Sequence, residues 1–228
     1  MQDITEDWWY KMKAVIFDMD GVLIDTEKYL VKFWCQAGEE LGYDMKREDA
    51  LMIRSLAGKY AKPKLQSIYG ENFDYVAVRN RRKELMKDWL EKNGIEKKKG
   101  VDEILPYLKE RGLKIAVATA TDEKRAVRYL KEIGIYHWFD KVICANMVEN
   151  GKPMPDIYLY ACAKIGEEPK DCYAIEDSPN GVKSAHGAGC RTIMVPDLTE
   201  PDKETEKLLY AKVTSLSELK DIFSQENR

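Results

Sequence analysis

Histidine is nearly missing from this sequence: His137 and His186 are the two in 228 residues, and neither falls in a metal or triad pattern. Each is expected to pack or to sit at the surface. Cysteine is sparse as well. The five, Cys35, Cys144, Cys162, Cys172 and Cys190, are odd in number and scattered, with no CxxC pair, which argues against a zinc site or a redox motif. They read as reduced, mostly buried thiols of a cytosolic protein. Charge of one sign is not in excess: 37 Lys and Arg against 40 Asp and Glu give a net −3, where a general nucleic-acid binder would carry a strong basic surplus. No apolar run approaches the roughly 20 residues of a membrane-crossing helix. The opening MQDITEDWWYKMK lacks the basic-then-apolar order of a signal peptide. The expectation is a cytoplasmic protein with neither nucleic-acid nor membrane partners. Trp8, Trp9 and Tyr10 are expected to pack on the body or on a second copy, in a monomer or homodimer.

What is present is an ordinary globular composition, 44% apolar and 34% charged, with a strong alternation of patterns from residue 101 onward. The run Ile115-Ala116-Val117-Ala118 is too short and too uniformly apolar for a surface helix and suits a strand buried on both faces. Val142 to Cys144, Tyr173 to Ile175 and Thr192 to Val195 read the same way. Between them lie helix-like stretches from Asp102 to Arg111, from Thr121 to Gly134, from Pro155 to Ile165, and from Ser178 to about Gly187. Strands alternating with helices predict a doubly wound parallel sheet, whose ligands bind beyond the carboxyl ends of the strands. Residues 28–97 break the rhythm. Tyr29 to Leu41, Glu48 to Leu56, Pro63 to Tyr69 and Tyr75 to Leu90 are helix-like with no strand between them, so an all-helical insert is expected there, within an α/β domain formed by residues 1–27 and 98–228. The insert is the basic part of the chain, with 15 basic against 11 acidic residues from Lys28 to Lys97. Attraction of an anionic substrate and simple solvation of helix faces both account for that.

Each strand end carries polar side chains. Asp18 and Asp20 follow the apolar run Ala14-Val15-Ile16-Phe17, Thr119 follows the second strand, Glu176 and Asp177 follow Tyr173 to Ile175, and Lys152 precedes the helix at Pro155. Four acidic groups converging on one rim repel one another unless a cation lies among them, and hard carboxylate ligands favour Mg²⁺. A carboxylate becomes a nucleophile toward a phosphoryl group once the phosphate's own charge is neutralised, work suited to Mg²⁺, Lys152 and the Thr119 hydroxyl. The leaving alkoxide needs a proton and the later water must lose one, which calls for a second carboxyl group. Asp20, two residues on in extended chain, projects to the same side as Asp18. Gly21 permits the tight turn that follows.

Four segments in order, DMDGVLIDTE, AVATAT, GKPMPDIY and EDSPNGVKSAHGAG, resemble the motifs of the haloacid dehalogenase (HAD) superfamily, in the branch of phosphoglycolate phosphatase-like hydrolases and β-phosphoglucomutase. The resemblance implies a Rossmann-like α/β core with a mobile helical cap, and a Mg²⁺-dependent phosphatase acting on a small phosphorylated metabolite. It makes Asp18 the nucleophile and Asp20 the general acid/base, the latter also a metal ligand through its carbonyl. Thr119, Ala120 and Lys152 hold the phosphate. Asp18, Asp20 and Asp177 ligate the metal, with Glu176 ligating it or ordering its water. The mutases of this branch carry a histidine after the first motif where this chain has Leu30, and a cap arginine without an obvious counterpart after Gly58 in GKYAKP. Both departures favour a phosphatase over the alternative, a sugar-phosphate mutase. Asp20 argues against a dehalogenase.

Several residues keep two readings. Thr119 and Thr121 can each bind phosphate or cap the next helix. Asp25 can cap a helix or steady the junction to the insert. Lys59, Arg81, Arg82 and Lys83 are candidates for substrate contact or solvated side chains, with Lys59 placed first because it follows Gly58 in a loop.

Overall fold

A computed structural model describes residues 12–225. Trp8, Trp9 and Tyr10 lie outside the described residues. Six parallel strands form one sheet: β1 (Ala14–Phe17), β2 (Lys114–Thr119), β3 (Lys141–Cys144), β4 (Cys172–Glu176), β5 (Arg191–Met194) and β6 (Ala211–Lys212), in the order β3-β2-β1-β4-β5-β6. Register pairs Ala14 with Lys114 on one side and with Cys172 on the other, so β1 lies at the centre. The chain winds outward from β1 to β3, then returns to the far side of β1 for β4. That reversal is the topological switch point where ligands of such sheets bind.

The period-2 geometry of a strand explains why these short runs are apolar throughout. Val15 and Phe17 point to one face and join Ile104, Leu105 and Leu108 of a helix spanning Val101–Glu110. Ala14 and Ile16 point to the other and join Ile157, Tyr158 and Ala161 of a helix spanning Asp156–Ile165. A residue of either face left polar would be buried without a partner.

Four helices follow β1: α1 (Glu27–Glu40), α2 (Arg47–Met52), α3 (Gly58–Tyr69) and α4 (Tyr75–Asn93). They have an apolar cluster of their own, with Val31, Ala37, Ala61, Leu65, Phe73 and Val78 buried in it. Phe33, Met86 and Leu90 instead pack into the core on one sheet face. The α/β part adds α5 (Val101–Glu110), α6 (Glu123–Glu132), α7 (Asp156–Ile165), α8 (Pro179–Gly187), α9 (Lys203–Glu206) and α10 (Leu219–Gln225).

Three differences from the sequence reading have local causes. The helix expected to reach Leu56 stops at Met52, because Ile53 to Ala57 turn toward the sheet, with Ser55 at a φ of 59°. The helix expected to begin at Pro63 begins at Gly58 and runs through the proline, its inner face anchored by buried Ala61 and Leu65. Strand β6 has two residues, too few to show a period. Asp25 caps nothing. Its carboxylate takes Lys28 and lies 3.6 Å from Lys98, while its N–H donates to the Glu96 carbonyl at 2.9 Å, so it ties together the two chain segments joining the helices to the sheet. Cys144, Cys162, Cys172 and Cys190 are buried free thiols and Cys35 is half-buried. Among the described residues no helix is long and apolar enough to cross a membrane.

Candidate active site

The floor of the site is built by the ends of β1 and β4. Asp18 is one residue beyond β1, and its N–H still donates to the Ile175 carbonyl at 2.9 Å, which fixes its backbone in the ladder. The Lys152 ammonium reaches in from the loop before α7, 2.5 Å from Asp18 Oδ1 and 2.7 Å from Glu176 Oε1, with no exposure of its own. Tyr158 of α7 donates to the same Glu176 oxygen at 2.6 Å. Glu176 Oε2 accepts from the Asp177 N–H at 3.3 Å. Both Glu176 oxygens are therefore engaged in holding Lys152 and the loop, and the first turn of α8 closes over them: a Cβ at Gly181 would stand 1.9 Å from Oε2.

Charge in this floor is out of balance. Burial pushes the Asp18 carboxyl up to about 7; Lys152 pulls it back, while Glu176 and Asp20 add to the rise. Burial alone would depress the Lys152 ammonium, but Asp18 and Glu176 outweigh it and hold its pKa above the ordinary lysine range. Asp177 is also raised well above a usual carboxylate by burial, against the pull of Arg54. Neither oxygen of its carboxylate accepts a hydrogen bond. Ligand atoms of Asp18, Glu176 and Asp177 lie within 4.8 Å of one another, all three residues buried. Gly21, at a φ of +87°, leaves the space beside Asp177: a Cβ there would stand 2.4 Å from Oδ2. A cluster of three buried carboxylates, with neither Asp177 oxygen accepting a hydrogen bond, is a donor set that fits a hard divalent cation.

Asp20 stands apart from this cluster. The chain has already left extended geometry at this point, with Asp20 bridged to Ile24, yet its carboxylate still faces the same cavity as Asp18. Two hydroxyls orient it, Thr26 at 2.6 Å on Oδ1 and Thr121 at 2.8 Å on Oδ2. Thr119 is fully buried at the end of β2, and its Oγ1 accepts the Thr121 N–H at 3.0 Å. Asp122, not either threonine, caps α6, accepting from the Arg125 N–H at 3.2 Å. Ala120 and Thr121 form the cavity wall there.

The cavity, about 450 Å³, is roofed by α1 to α4. Lys59 lies on its wall with its ammonium donating to Asn150 Oδ1 and to the Glu149 carbonyl, so it bridges α3 to the loop before α7. Of the remaining basic candidates, Arg82 and Lys83 line the cavity. Arg81 faces away, paired with Glu40 at 2.5 Å and Glu84 at 3.0 Å. Sequence reading missed Arg79, Arg125, Arg54 and Glu27. Arg79, Arg82, Lys83 and Met86 recur at i, i+3, i+4 and i+7, one face of a helix, and that spacing was the available signal. Arg54 had none, because it is brought to the site by the turn after α2. Its guanidinium lies 3.2 Å from Asp177 Oδ2 and 3.8 Å from Glu27, and donates to the Asp177 carbonyl at 2.9 Å. Burial pushes the Glu27 carboxyl up to about 8, against the pull of Arg54. Asn180 binds the carbonyls of Met52 and Arg54, and the Ala57 N–H binds that of Lys152, so this turn seals the helical roof to the floor.

The raised carboxyl groups make stability fall as pH rises. Asp18 and Glu27, at about 7 and about 8, sit above the values they take in an unfolded chain, so between about pH 4 and 8 the folded protein holds more protons. Their contribution is full below the unfolded values and is lost as pH passes through the folded ones. In EDTA the unfolding free energy should drop by roughly 1.4 kcal/mol per pH unit for each such group within its window. Urea midpoints at several pH values check this, and millimolar Mg²⁺ should flatten the slope; a flat profile in EDTA would show these carboxyls to be unshifted.

Residues 15–195 match the family model of haloacid dehalogenase-like hydrolases. The chain belongs to that family. It is 32% identical over 187 residues to a phosphorylated carbohydrates phosphatase of Thermotoga maritima, covering 80% of this chain and 84% of that protein. It is 30% identical over 189 residues to a β-phosphoglucomutase of Bacillus subtilis, covering 78% and 80%. Among solved structures, a β-phosphoglucomutase from Clostridium difficile shares the fold with a TM-score of 0.80, at 23% identity, covering 95% of this chain and 97% of that one. In this haloacid dehalogenase-like hydrolase Leu30 of α1 is part of the wall of the cavity that Asp18 and Asp20 also line.

Proposed function

We propose that this protein is a Mg²⁺-dependent phosphatase of a small phosphorylated carbohydrate, working through an aspartyl-phosphate on Asp18. The observation that carries the reading is the floor itself: a buried carboxylate held 2.5 Å from a buried ammonium, at the base of a roofed cavity, with a second oriented carboxylate beside it. The protein is a phosphoric monoester hydrolase. A carboxylate oxygen of Asp18 attacks phosphorus and the ester P–O bond breaks, while Asp20 gives the leaving alkoxide a proton. Asp20 then takes a proton from water, whose oxygen attacks the same phosphorus and breaks the bond to Asp18, releasing inorganic phosphate and restoring both carboxyl groups. Lys152 balances negative charge throughout, with Glu176 and Tyr158 keeping it in place. Thr26 and Thr121 aim Asp20, Ala120 and Thr121 form the wall beside it, and Thr119 holds that turn from beneath by accepting the Thr121 N–H. A divalent cation held by Asp18 and Asp177, with the Asp20 carbonyl and Glu176 beside them, supplies charge neutralisation at the phosphoryl group and favours the ionised form of Asp18.

A panel of sugar phosphates with Mg²⁺, assayed for both inorganic phosphate and sugar-phosphate isomers, tests the reading. Phosphate release is expected. Isomer formation without phosphate would make the protein a mutase, against the presence of Leu30 rather than a histidine. The proton role of Asp20 has a separate signature. Asp20→Asn should lower kcat on a sugar phosphate by about 10²- to 10⁴-fold but much less on p-nitrophenyl phosphate, whose phenolate leaves without a proton. Equal losses on both substrates would remove Asp20 from that role.

A further inference from the structure

The apolar cluster that joins α7 to the sheet contains Cys162, Cys172 and Cys190. The Sγ atoms of Cys162, on α7, and Cys190, just before β5, lie 3.9 Å apart. The two are distant in sequence, so no local motif marks them, and the fold alone brings them together. Cys190 is 5% exposed against 1% for Cys162, which makes it the thiol that a small oxidant meets first. The Cys172 hydrogen bond lowers the Cys162 pKa, but the hydrogen bond to Cys190 and burial outweigh it and hold this thiol above its ordinary range. Cys162 therefore keeps its proton, and Cys190 is the attacking sulfur of the pair. Cys172 is fully buried and donates to the Glu168 carbonyl at 3.3 Å. The pair is tied to the active site through α7. Cys162 is one turn beyond Tyr158, in the same buried cluster. Tyr158 donates at 2.6 Å to the Glu176 oxygen that holds Lys152 at 2.7 Å. Burial, Glu176 and Asp18 raise the Tyr158 hydroxyl, and Cys190 adds to the rise, so the field of this thiol reaches the same phenol.

We propose that Cys162 and Cys190 are a redox-modification site: hydrogen peroxide joins them in a reversible disulfide, which displaces α7 and lowers activity through Tyr158. The Cys190 sulfur attacks one peroxide oxygen, the O–O bond breaks and water leaves, giving a sulfenic acid. The Cys162 sulfur then attacks the Cys190 sulfur, the S–O bond breaks, and the hydroxyl leaves with the Cys162 proton as a second water. The thiol pair gives up two electrons, and one peroxide is reduced to two waters. A disulfide holds its sulfurs ~2.05 Å apart, so the 3.9 Å gap closes by roughly 1.9 Å. A close-packed interior passes such a movement on to its neighbours, and the neighbour one turn back along α7 is Tyr158. Its displacement loosens the Glu176 oxygen that positions Lys152. An added dithiol reverses the bond by thiol–disulfide exchange. The loss of turnover rests on the phosphatase reading above, whereas the disulfide and the movement of α7 do not.

The test treats the full chain with hydrogen peroxide and then with dithiothreitol. Peptide mapping by mass spectrometry should find Cys162 joined to Cys190, with the other three of the five cysteines still free. Hydrogen exchange, read with neither metal nor substrate, should quicken at residues 150–158 in the oxidised protein. Phosphate release on the best sugar phosphate should fall by at least about tenfold, the scale on which a displacement of an ångström matters to a positioned group, and return with dithiothreitol. Cys162→Ala and Cys190→Ala should start near wild-type activity and keep it through the peroxide step. A folded, peroxide-treated protein without the Cys162–Cys190 bond, or with Cys162 joined to Cys172 instead, overturns the site. The bond formed with exchange and turnover both unchanged overturns the switch, as does an equal loss of activity in the two variants, which would place the damage elsewhere. The bond and the quickened exchange, with no phosphate released from any sugar phosphate by the reduced protein, support the movement of α7 and overturn the phosphatase.

Discussion

Replacing Asp18 by Asn should abolish turnover while the fold stands. The substitution keeps the shape of the side chain and removes the oxygen charge that attacks phosphorus, so kcat is expected to fall by at least about 10³-fold, the scale seen when a nucleophile is lost. The cost to stability should be small, because the carboxylate removed is a strained one: burial, Glu176 and Asp20 all push its pKa up toward 7. With Asp18 neutral, Lys152 retains Glu176 as its counter-ion at 2.7 Å. Phosphate release on the best substrate, together with a urea unfolding curve, separates the two effects. Activity within tenfold of wild type in a folded Asp18→Asn protein would sink the aspartyl-phosphate mechanism.

Lys152→Met should lose both stability and activity. The Lys152 ammonium is buried between Asp18 and Glu176, and methionine fills similar volume without charge. Removing one partner of a buried ion pair leaves the other uncompensated, at a cost of about 3 to 5 kcal/mol. In EDTA the urea midpoint should therefore drop well below that of wild type. Added Mg²⁺ should restore part of the loss, since a cation bound only by the folded chain stabilises it by mass action. The same variant tests the arrangement of the floor: if its midpoint in EDTA matches wild type, Lys152 is not the charge that holds the carboxylates together. The mirror case is Arg54, which reaches Asp177 and Glu27 from the helical roof and serves them as Lys152 serves Asp18 and Glu176.

The sheet was readable because its strands are buried on both faces, and such strands show as short uniform apolar runs. Ile115 to Ala118 lie within β2, and Tyr173 to Ile175 within β4. Helix starts were readable where a local cap exists: Ser178 accepts from the Gly181 N–H at 3.1 Å, next to Pro179 at the first helical position. They were misjudged where the cap competes with the site. Thr121 precedes α6 and has the right chemistry to cap it, but its hydroxyl is spent on Asp20, and Asp122 caps instead.

By itself, then, the sequence determined which residues end each strand of the sheet: Asp18 after β1, Thr119 at the end of β2, Glu176 and Asp177 at the end of β4. A parallel sheet brings all strand ends to one rim, so order along the chain was enough to bring these groups together. Only the tertiary structure decided what the roof contributes. Whether Arg81 or Arg82 faces the cavity depends on how α4 is rotated against its neighbours, and Arg54 reaches Asp177 only because the turn at Ser55 bends the chain back to the sheet. A strand end is placed by hydrogen bonds to adjacent strands, which a sequence pattern encodes locally. A helix facing a cavity is placed by packing across distant segments, and no local pattern carries that information.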